Sequence, residues 1–119
     1  IKMIIFMSTL KRIQIKRLKG KSTIDLLFNA GKVIHSKRLC IRMIDNAGCG
    51  IYYSGVSVPK KLFKKAVDRN RIKRQMRLAL VKLDNKQLFE GSGILIYKST
   101  ERPHTKELIN EVDLLFRSF

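Results

Sequence analysis

Cysteine, proline, tryptophan and acidic residues are all scarce in this sequence. It contains two cysteines, two prolines, no tryptophan and nine acidic residues in a chain of 119. Cys40 and Cys49 have no CxxC spacing and no histidines clustered beside them, which excludes a disulfide framework and a zinc site of the usual spacing. We interpret both as buried free thiols, the alternative being a pair that faces across a hairpin.

Long apolar runs are missing as well. The apolar run at residues 1–7 is far shorter than the ~20 residues that cross a bilayer. It also lacks the small-residue cleavage site of a signal peptide. We therefore expect a cytoplasmic protein without a membrane partner.

The sequence also lacks a set of residues that could perform catalysis. No two carboxylates have a useful spacing, no Ser/His/Asp set is recognisable, and His35 and His104 stand far apart. There is no glycine loop of the kind that cradles phosphates. We therefore predict no catalytic residue, no metal ligand and no cofactor bound by the chain alone.

Positive charge is what the sequence has in excess. The 26 Lys and Arg residues give a formal net charge of +17. A folded domain tolerates such self-repulsion more easily when a polyanion neutralises it, so nucleic acid is the expected partner and an anionic membrane the second candidate. A hydrophobic content of 45% is enough for one compact core. We predict a flexible basic extension over residues 1–16 and a single domain over residues 17–119.

Apolar spacing and turn residues predict the element order αββαβα. The predicted elements are a helix over 23–30, strands over 32–44 and 49–58, a helix over 66–83, a strand over 94–97 and a helix opened by Pro103. Residues 11–21 are interpreted as a solvated basic arm, and residues 91–93 as a turn. The predicted fold is an α/β (α+β) sandwich with a small mixed sheet.

The segment from Lys60 to Arg77 holds the densest charge. Nine of its eighteen residues are Lys or Arg, and Asp68 is its only acid. A rotation of about 100° per residue separates an apolar stripe from an outer polar face. The stripe comprises Ile72, Met76, Ala79, Leu80 and Leu83, and the outer face comprises Asn70, Arg74 and Arg77, with Lys73 on its flank. Guanidinium groups match phosphate oxygens in pairs. A merely solvated face is the alternative, but it does not explain why acids are so few.

These residues resemble a known family. The block Arg69-Asn70-Arg71-Ile72-Lys73-Arg74 followed by Arg77, with Gly55-Val56-Ser57-Val58-Pro59-Lys60-Lys61 before it, is similar to the signature of the protein subunit of bacterial ribonuclease P. The resemblance extends over about residues 17–119. It implies an α/β sandwich of the kind also found in a ribosomal protein domain, with an unusual left-handed βαβ crossover through the basic helix.

The resemblance also implies a function. In the family, an RNA subunit with bound Mg²⁺ removes the 5′ leader of precursor tRNA, and the protein subunit assists. We therefore expect this chain to bind ribonuclease P RNA and the precursor tRNA leader as a monomeric protein, one per RNA. The protein would be one component of an enzyme in which the RNA subunit performs the chemistry and binds most of the Mg²⁺.

Site residues are carried over from the family by position. Contacts with the RNA subunit would fall to Arg69, Asn70, Arg71, Lys73, Arg74 and Arg77. A cleft for the leader would use Ile24, Phe28, Arg42, Lys60 and Lys61. Two departures stand out: Ile24 occupies a position where the family often has Phe, and residues 62–65 are one residue longer than the usual link.

Three other functions compete with this one. A ribosomal protein of similar architecture would lack the arginine-asparagine-arginine block. A DNA-binding module could place the helix in a major groove, but no helix-turn-helix spacing or dimerisation seam is visible. A membrane-surface helix would need large apolar residues beside its charges.

Overall fold

The computed structural model describes residues 13–46, 48, 50–83 and 88–117. Its strands are β1 (Gln14–Arg17), β2 (Lys32–His35), β3 (Leu39–Asp45), β4 (Ile51–Ser57) and β5 (Gly91–Tyr97), and its helices are α1 (Lys21–Ala30), α2 (Ala66–Val81) and α3 (Thr105–Arg117). Five strands form one mixed sheet that carries three helices, so the predicted α/β (α+β) class is confirmed. The order is βαβββαβα rather than the expected αββαβα.

The sheet has the strand order β1-β4-β5-β3-β2. Strand β4 pairs in parallel with both β1 and β5, whereas β3 pairs antiparallel with β5 and with β2. Helix α2 therefore forms the crossover between the parallel strands β4 and β5. The left hand that the resemblance implies for this crossover stays a prediction.

The main core lies between one face of the sheet and helices α2 and α3. The strand register sets Ile41, Leu95 and Val56 side by side on that face. Helix α2 covers it with the apolar stripe that its spacing predicts, apart from Leu83, which lies beyond the end of the helix. Helix α3 covers it with a similar stripe. The buried stripe residues are Ile72, Met76, Ala79 and Leu80 of α2 and Leu108, Val112, Leu115 and Phe116 of α3. Burying each large apolar side chain contributes roughly 1.5–3 kcal/mol, so α2 is firmly held.

Helix α1 packs on the opposite face, against β3 and β5. Leu27 is the one side chain of α1, among those described, that is fully buried. The helix starts at Lys21 rather than at residue 23, and no side chain caps its N-terminus. It ends at Gly31, as predicted, where the amide of Gly31 donates to the Leu27 carbonyl at 3.0 Å. Few contacts therefore hold α1 to the sheet.

The interpretation of residues 11–21 as a solvated arm is wrong for β1. Residues Gln14 to Arg17 expose their side chains, but their backbone pairs with Ile51 to Ser54 of β4. Because the stabilising bonds are made by the backbone to a distant strand, a local reading of charge and exposure misses them. Residues 1–12 lie outside the described residues, and the predicted extension over 1–16 stays a prediction.

Two further details differ from the predicted elements. Residues 32–44 form two strands rather than one, because the chain reverses at Ser36, whose amide donates to the Leu39 carbonyl at 2.8 Å. Residues 91–93 belong to β5 rather than to a turn. A Cβ on Gly93 would lie 2.9 Å from the Tyr52 hydroxyl oxygen, so this glycine serves the close approach of a core side chain.

Candidate nucleic-acid interface

The outer surface of α2 carries a cluster of exposed polar side chains. We call Asn70, Arg71, Arg74 and Arg77 the basic face; all four are exposed. Among the described residues, no carboxylate forms an ion pair with any of these three arginines. Asp68, the one acid in the first turn of α2, pairs instead with Arg102 at 3.2 Å. The basic face therefore presents three uncompensated guanidinium groups on a rigid helix.

Arg69 is placed differently from the other predicted RNA contacts. It is partly buried, and its Nη1 donates to the carbonyl of Phe63 at 3.0 Å and to that of Lys64 at 2.8 Å. No side chain caps the N-terminus of α2. Arg69 thus ties the segment before the helix to the first turn of the helix, and this nitrogen is turned toward its own chain.

The segment 60–65, which we call the basic link, joins β4 to α2. Its four lysines are exposed, whereas Phe63 is buried and anchors it. The link turns at Pro59, whose carbonyl accepts a hydrogen bond from the Leu62 amide at 3.2 Å. The predicted leader contacts Lys60 and Lys61 lie here. Their ammonium groups precede a helix N-terminus, so positive charge and the positive end of the helix dipole coincide.

A cavity of about 710 Å³ opens between α1, the end of β1 and the flank of α2. Apolar side chains of α1 and β1 line one part of it, including Ile24, Phe28 and Ile15. Cationic side chains line the cavity on two sides: Lys16 and Arg17 on β1, and Lys73 and Arg77 on α2. The cavity therefore combines an aromatic and apolar wall with positive charge at its rims.

The floor of the cavity includes a stretch of β4 that β1 does not cover. Pairing with β1 ends at Ser54, whose carbonyl accepts a hydrogen bond from the Leu18 amide at 2.9 Å. Beyond this point β5 is the only described strand that pairs with β4. A Cβ on Gly55 would lie 3.2 Å from a methyl carbon of Leu18, so the glycine leaves room for Leu18 where the chain leaves the sheet. The end of β1 thus opens the cavity.

Phe28 forms the aromatic part of the α1 wall. Its side chain is 45% exposed. The Arg42 guanidinium carbon lies over its ring, 5.1 Å from the centroid, and Arg42 Nη1 donates to the Phe28 carbonyl at 3.1 Å. Arg42 itself does not line the cavity. The ring therefore faces the cavity with a cation packed against it.

The structure brings together residues that the resemblance assigns to two different RNA contacts. Ile24 and Phe28 share the cavity with Lys73 and Arg77, which the resemblance assigns to RNA-subunit contacts. Lys60 and Lys61 do not line it. Sequence reasoning missed Lys16 and Arg17, although the alternation of Ile13 and Ile15 with polar residues is a strand signal. The roles given to all of these residues stay predictions.

The described residues offer binding groups rather than reactive ones. No three His, Cys, Asp or Glu side chains in that part of the chain come together as a metal site. Burial raises the pKa of the Cys40 thiol, an effect that Lys98 and Arg42 partly offset, so the thiol is not activated as a nucleophile. Over the same ranges, no helix has both the length and the apolar character required to cross a membrane.

Comparison with known proteins identifies relatives of the whole domain. The family model described as Ribonuclease P matches residues 14–119. The ribonuclease P protein component of Microcystis aeruginosa (strain NIES-843 / IAM M-2473) is 33% identical over 88 residues, which cover 71% of this chain and 73% of that protein. The match to the family model includes both the basic face and the cavity.

Solved structures share the fold at lower identity. The RNase P protein of Staphylococcus aureus superposes with a TM-score of 0.72 at 22% identity, covering 86% of this chain and 93% of that one. The RNase P protein from Thermotoga maritima gives a TM-score of 0.71 at 22% identity, covering 86% and 96% respectively. At this level of identity the likeness concerns the arrangement of strands and helices.

Proposed function

Because the chain belongs to the ribonuclease P protein family, we propose that it binds a ribonuclease P RNA through the basic face and the 5′ leader of precursor tRNA through the cavity. The observation that carries this proposal is a set of guanidinium groups that pair with no described carboxylate, on a helix whose opposite side is buried. The protein would act in the cytoplasm, as one copy per RNA.

The basic face suits a folded RNA backbone. Arginine forks bind phosphate oxygens with two parallel hydrogen bonds, and an amide such as that of Asn70 reaches phosphate, a 2′-hydroxyl or a base edge. The buried stripe of α2 fixes the spacing between these groups before RNA arrives. Little conformational entropy is then lost on binding, which favours recognition of a preformed RNA surface.

The cavity suits a single strand. Proteins that bind single-stranded nucleic acid combine a positive groove for the backbone with aromatic rings on which bases stack. Phe28 supplies an exposed ring, and Lys16, Arg17, Lys73 and Arg77 supply the charge. Since Arg77 belongs to the basic face and also lines the cavity, with Lys73 beside it on α2, a strand in the cavity would continue directly from the RNA bound at that face.

Hydrolysis is assigned to the RNA subunit in this proposal. That subunit supplies Mg²⁺-dependent cleavage when it is bound, and the described residues of this chain offer no carboxylate or histidine cluster for a metal ion. The protein would raise the local concentration and fix the orientation of the leader. It would also reduce repulsion between the two RNAs, because its net charge is +17.

Reconstitution tests the proposal. The protein is added at low Mg²⁺ to a bacterial ribonuclease P RNA, and removal of the leader from precursor tRNA is measured. We expect cleavage to require the RNA and to be stimulated by the protein, which alone should be inactive. Absence of stimulation would contradict the proposal, as would cleavage by RNA-free protein that a point mutation in this chain abolishes.

Binding competition separates the alternative partners. Precursor tRNA, duplex DNA and anionic vesicles are offered at equal charge concentration, and precursor tRNA should compete best for ribonuclease P RNA binding. Affinity should also fall steeply with salt, with a log–log slope of roughly −0.7 to −0.9 for each phosphate contacted. A slope near zero would contradict the electrostatic account.

A further inference from the structure

We propose that Arg42 is a positioning residue, which holds the Phe28 ring so that its free face can stack on a base of the bound strand. This inference rests on the proposed function, because it concerns how the cavity receives single-stranded RNA. It differs from a direct contact between Arg42 and RNA, since the residue would act through Phe28.

Helix α1 needs such support at its C-terminal end. The last carbonyls of a helix have no partner within the helix, and cations near them are stabilising. No basic residue lies in the last turn of α1. Arg42 supplies the missing cation from another element, because its Nη1 donates to the Phe28 carbonyl at 3.1 Å.

The same guanidinium also restrains the ring. It lies over one face of Phe28 at 5.1 Å from the centroid, within the range of a cation–π contact. An exposed aromatic side chain otherwise samples several rotamers, and ordering it on binding costs entropy. Arg42 therefore fixes both the backbone and the ring of the residue that faces the cavity.

Arg42 is held more rigidly than Phe28, the residue that it positions. Arg42 lies in β3, where its backbone pairs with Val33 on one side and with Ile94 on the other. Phe28 lies on α1, a helix with one fully buried side chain, Leu27, among those described. A side chain from the middle of the sheet thus steadies a lightly held helix, and only Phe28 of the pair lines the cavity.

A double-mutant cycle tests the inference in the reconstituted holoenzyme. The variants are Arg42→Ala, Phe28→Ala and the double variant, and the affinity is measured for precursor tRNA with a leader and for tRNA without one. Arg42→Gln is a second variant, which keeps a donor for the Phe28 carbonyl. Arg117→Ala is the matched control, since Arg117 is an exposed arginine on α3 paired with Asp113.

We expect Arg42→Ala to weaken binding of leader-bearing substrate about three- to fivefold, the size of an exposed cation–π contact. Phe28→Ala should weaken it about tenfold, as expected for one lost stacking partner. The double variant should bind no more weakly than Phe28→Ala, and Arg42→Gln should fall between wild type and Arg42→Ala. Arg117→Ala, and every variant with leaderless tRNA, should bind as wild type does.

Salt dependence adds an independent readout. If Arg42 positions Phe28, the Arg42→Ala variant should keep the wild-type log–log slope. A direct phosphate contact would instead reduce the slope by roughly 0.7 and would make the losses in the double variant additive. Either result, or wild-type affinity in Arg42→Ala, overturns the positioning role while the proposed function stands. Wild-type affinity in Phe28→Ala overturns the assignment of the leader to this wall and the inference with it.

Discussion

Helices α1 and α2 both face the cavity, but they are held to the domain in different ways. Four buried side chains fix α2 between the sheet and α3, whereas α1 relies on Leu27 and on the bonds from Arg42. The charged surface that we assign to the large RNA partner therefore shares its stability with the whole core. The aromatic surface that we assign to a single strand lies on α1, whose stability depends less on the core. A folded RNA needs fixed spacing along the whole helix, whereas a single strand needs the one ring that Arg42 holds in place.

The largest expected effect is the loss of an apolar anchor. Leu27→Ala should lower the free energy of unfolding by about 2–5 kcal/mol, because Leu27 is completely buried. Met76→Ala in α2 should cost a similar amount, so total stability measured by urea denaturation will not separate the helices.

Hydrogen exchange should separate them. In Leu27→Ala the amides of α1 should lose protection while those of α2 keep it, since α1 can open locally. In Met76→Ala the protection should fall throughout the domain. Equal loss of protection in α1 and α2 of the Leu27→Ala variant would show that the two helices form one cooperative unit.

The second prediction concerns the basic face. Arg74→Ala should weaken binding to ribonuclease P RNA by about 1.5–3 kcal/mol through loss of a charge-assisted contact. Lys82→Ala, an exposed position at the C-terminal cap of α2, should cost well under ~1 kcal/mol. Filter binding measures both, and circular dichroism should show an intact helix in each variant. Equal losses of affinity in the two variants would mean that the basic face does not bind the RNA.

The third prediction separates Arg69 from its neighbours. Arg69→Ala should destabilise the fold by about 1.5 kcal/mol, because the carbonyls of Phe63 and Lys64 lose a charged donor. Arg71→Ala is the control, since this exposed arginine has no ion pair with a described carboxylate and should change stability by no more than ~0.5 kcal/mol. Thermal unfolding compares them. If Arg71→Ala is as destabilising as Arg69→Ala, the tie to the basic link is unimportant.

The smallest effect should follow removal of the Asp68 charge. Asp68 pairs with Arg102, whose side chain is 70% exposed, so Asp68→Asn should cost well under ~1 kcal/mol of folding free energy. Asp113→Asn on α3, which breaks the pair with Arg117, provides the comparison. A loss in Asp68→Asn that approaches the loss in Met76→Ala would show that α2 is held by ionic bonds as much as by packing.

The two helices also differ in how well sequence predicts them. The stripe of α2 recurs from Ile72 to Leu80, so these buried residues and the exposed Asn70, Arg74 and Arg77 follow from periodicity. Leu83, which the same spacing assigned to the stripe, lies beyond the end of α2. The apolar residues of α3 follow in the same way. Helix α1 is short, and its pattern does not reveal that Leu27 would be buried while Phe28 stays 45% exposed. The position of Phe28 depends on a partner 14 residues away on β3.

The remaining features that the sequence did not predict have one physical cause, which is contact between segments distant in the chain. Strand β1 exists because β4 offers its edge, and the short alternation of Ile13 and Ile15 with polar residues does not show which strand it would join. The sequence alone indicates a turn at Gly93, because the Tyr52 contact that requires a glycine there forms only in the folded sheet. Lys73 and Arg77 line the cavity together with residues of β1 and α1, which are distant from them in the chain. Resemblance to a family supplied the site residues, but it could not show that Arg69 bonds to its own chain.

The shortness of β1 has a consequence for handling the protein. An uncovered strand edge is a template for pairing with another chain, and charged side chains are a common protection against it. Strand β1 covers β4 only as far as Ser54, and its exposed Lys16 and Arg17 stand beside the open part. A chain shortened to begin after Arg17 would expose the whole edge and remove both charges, so we expect it to aggregate through β4 at concentrations at which the longer chain stays dispersed.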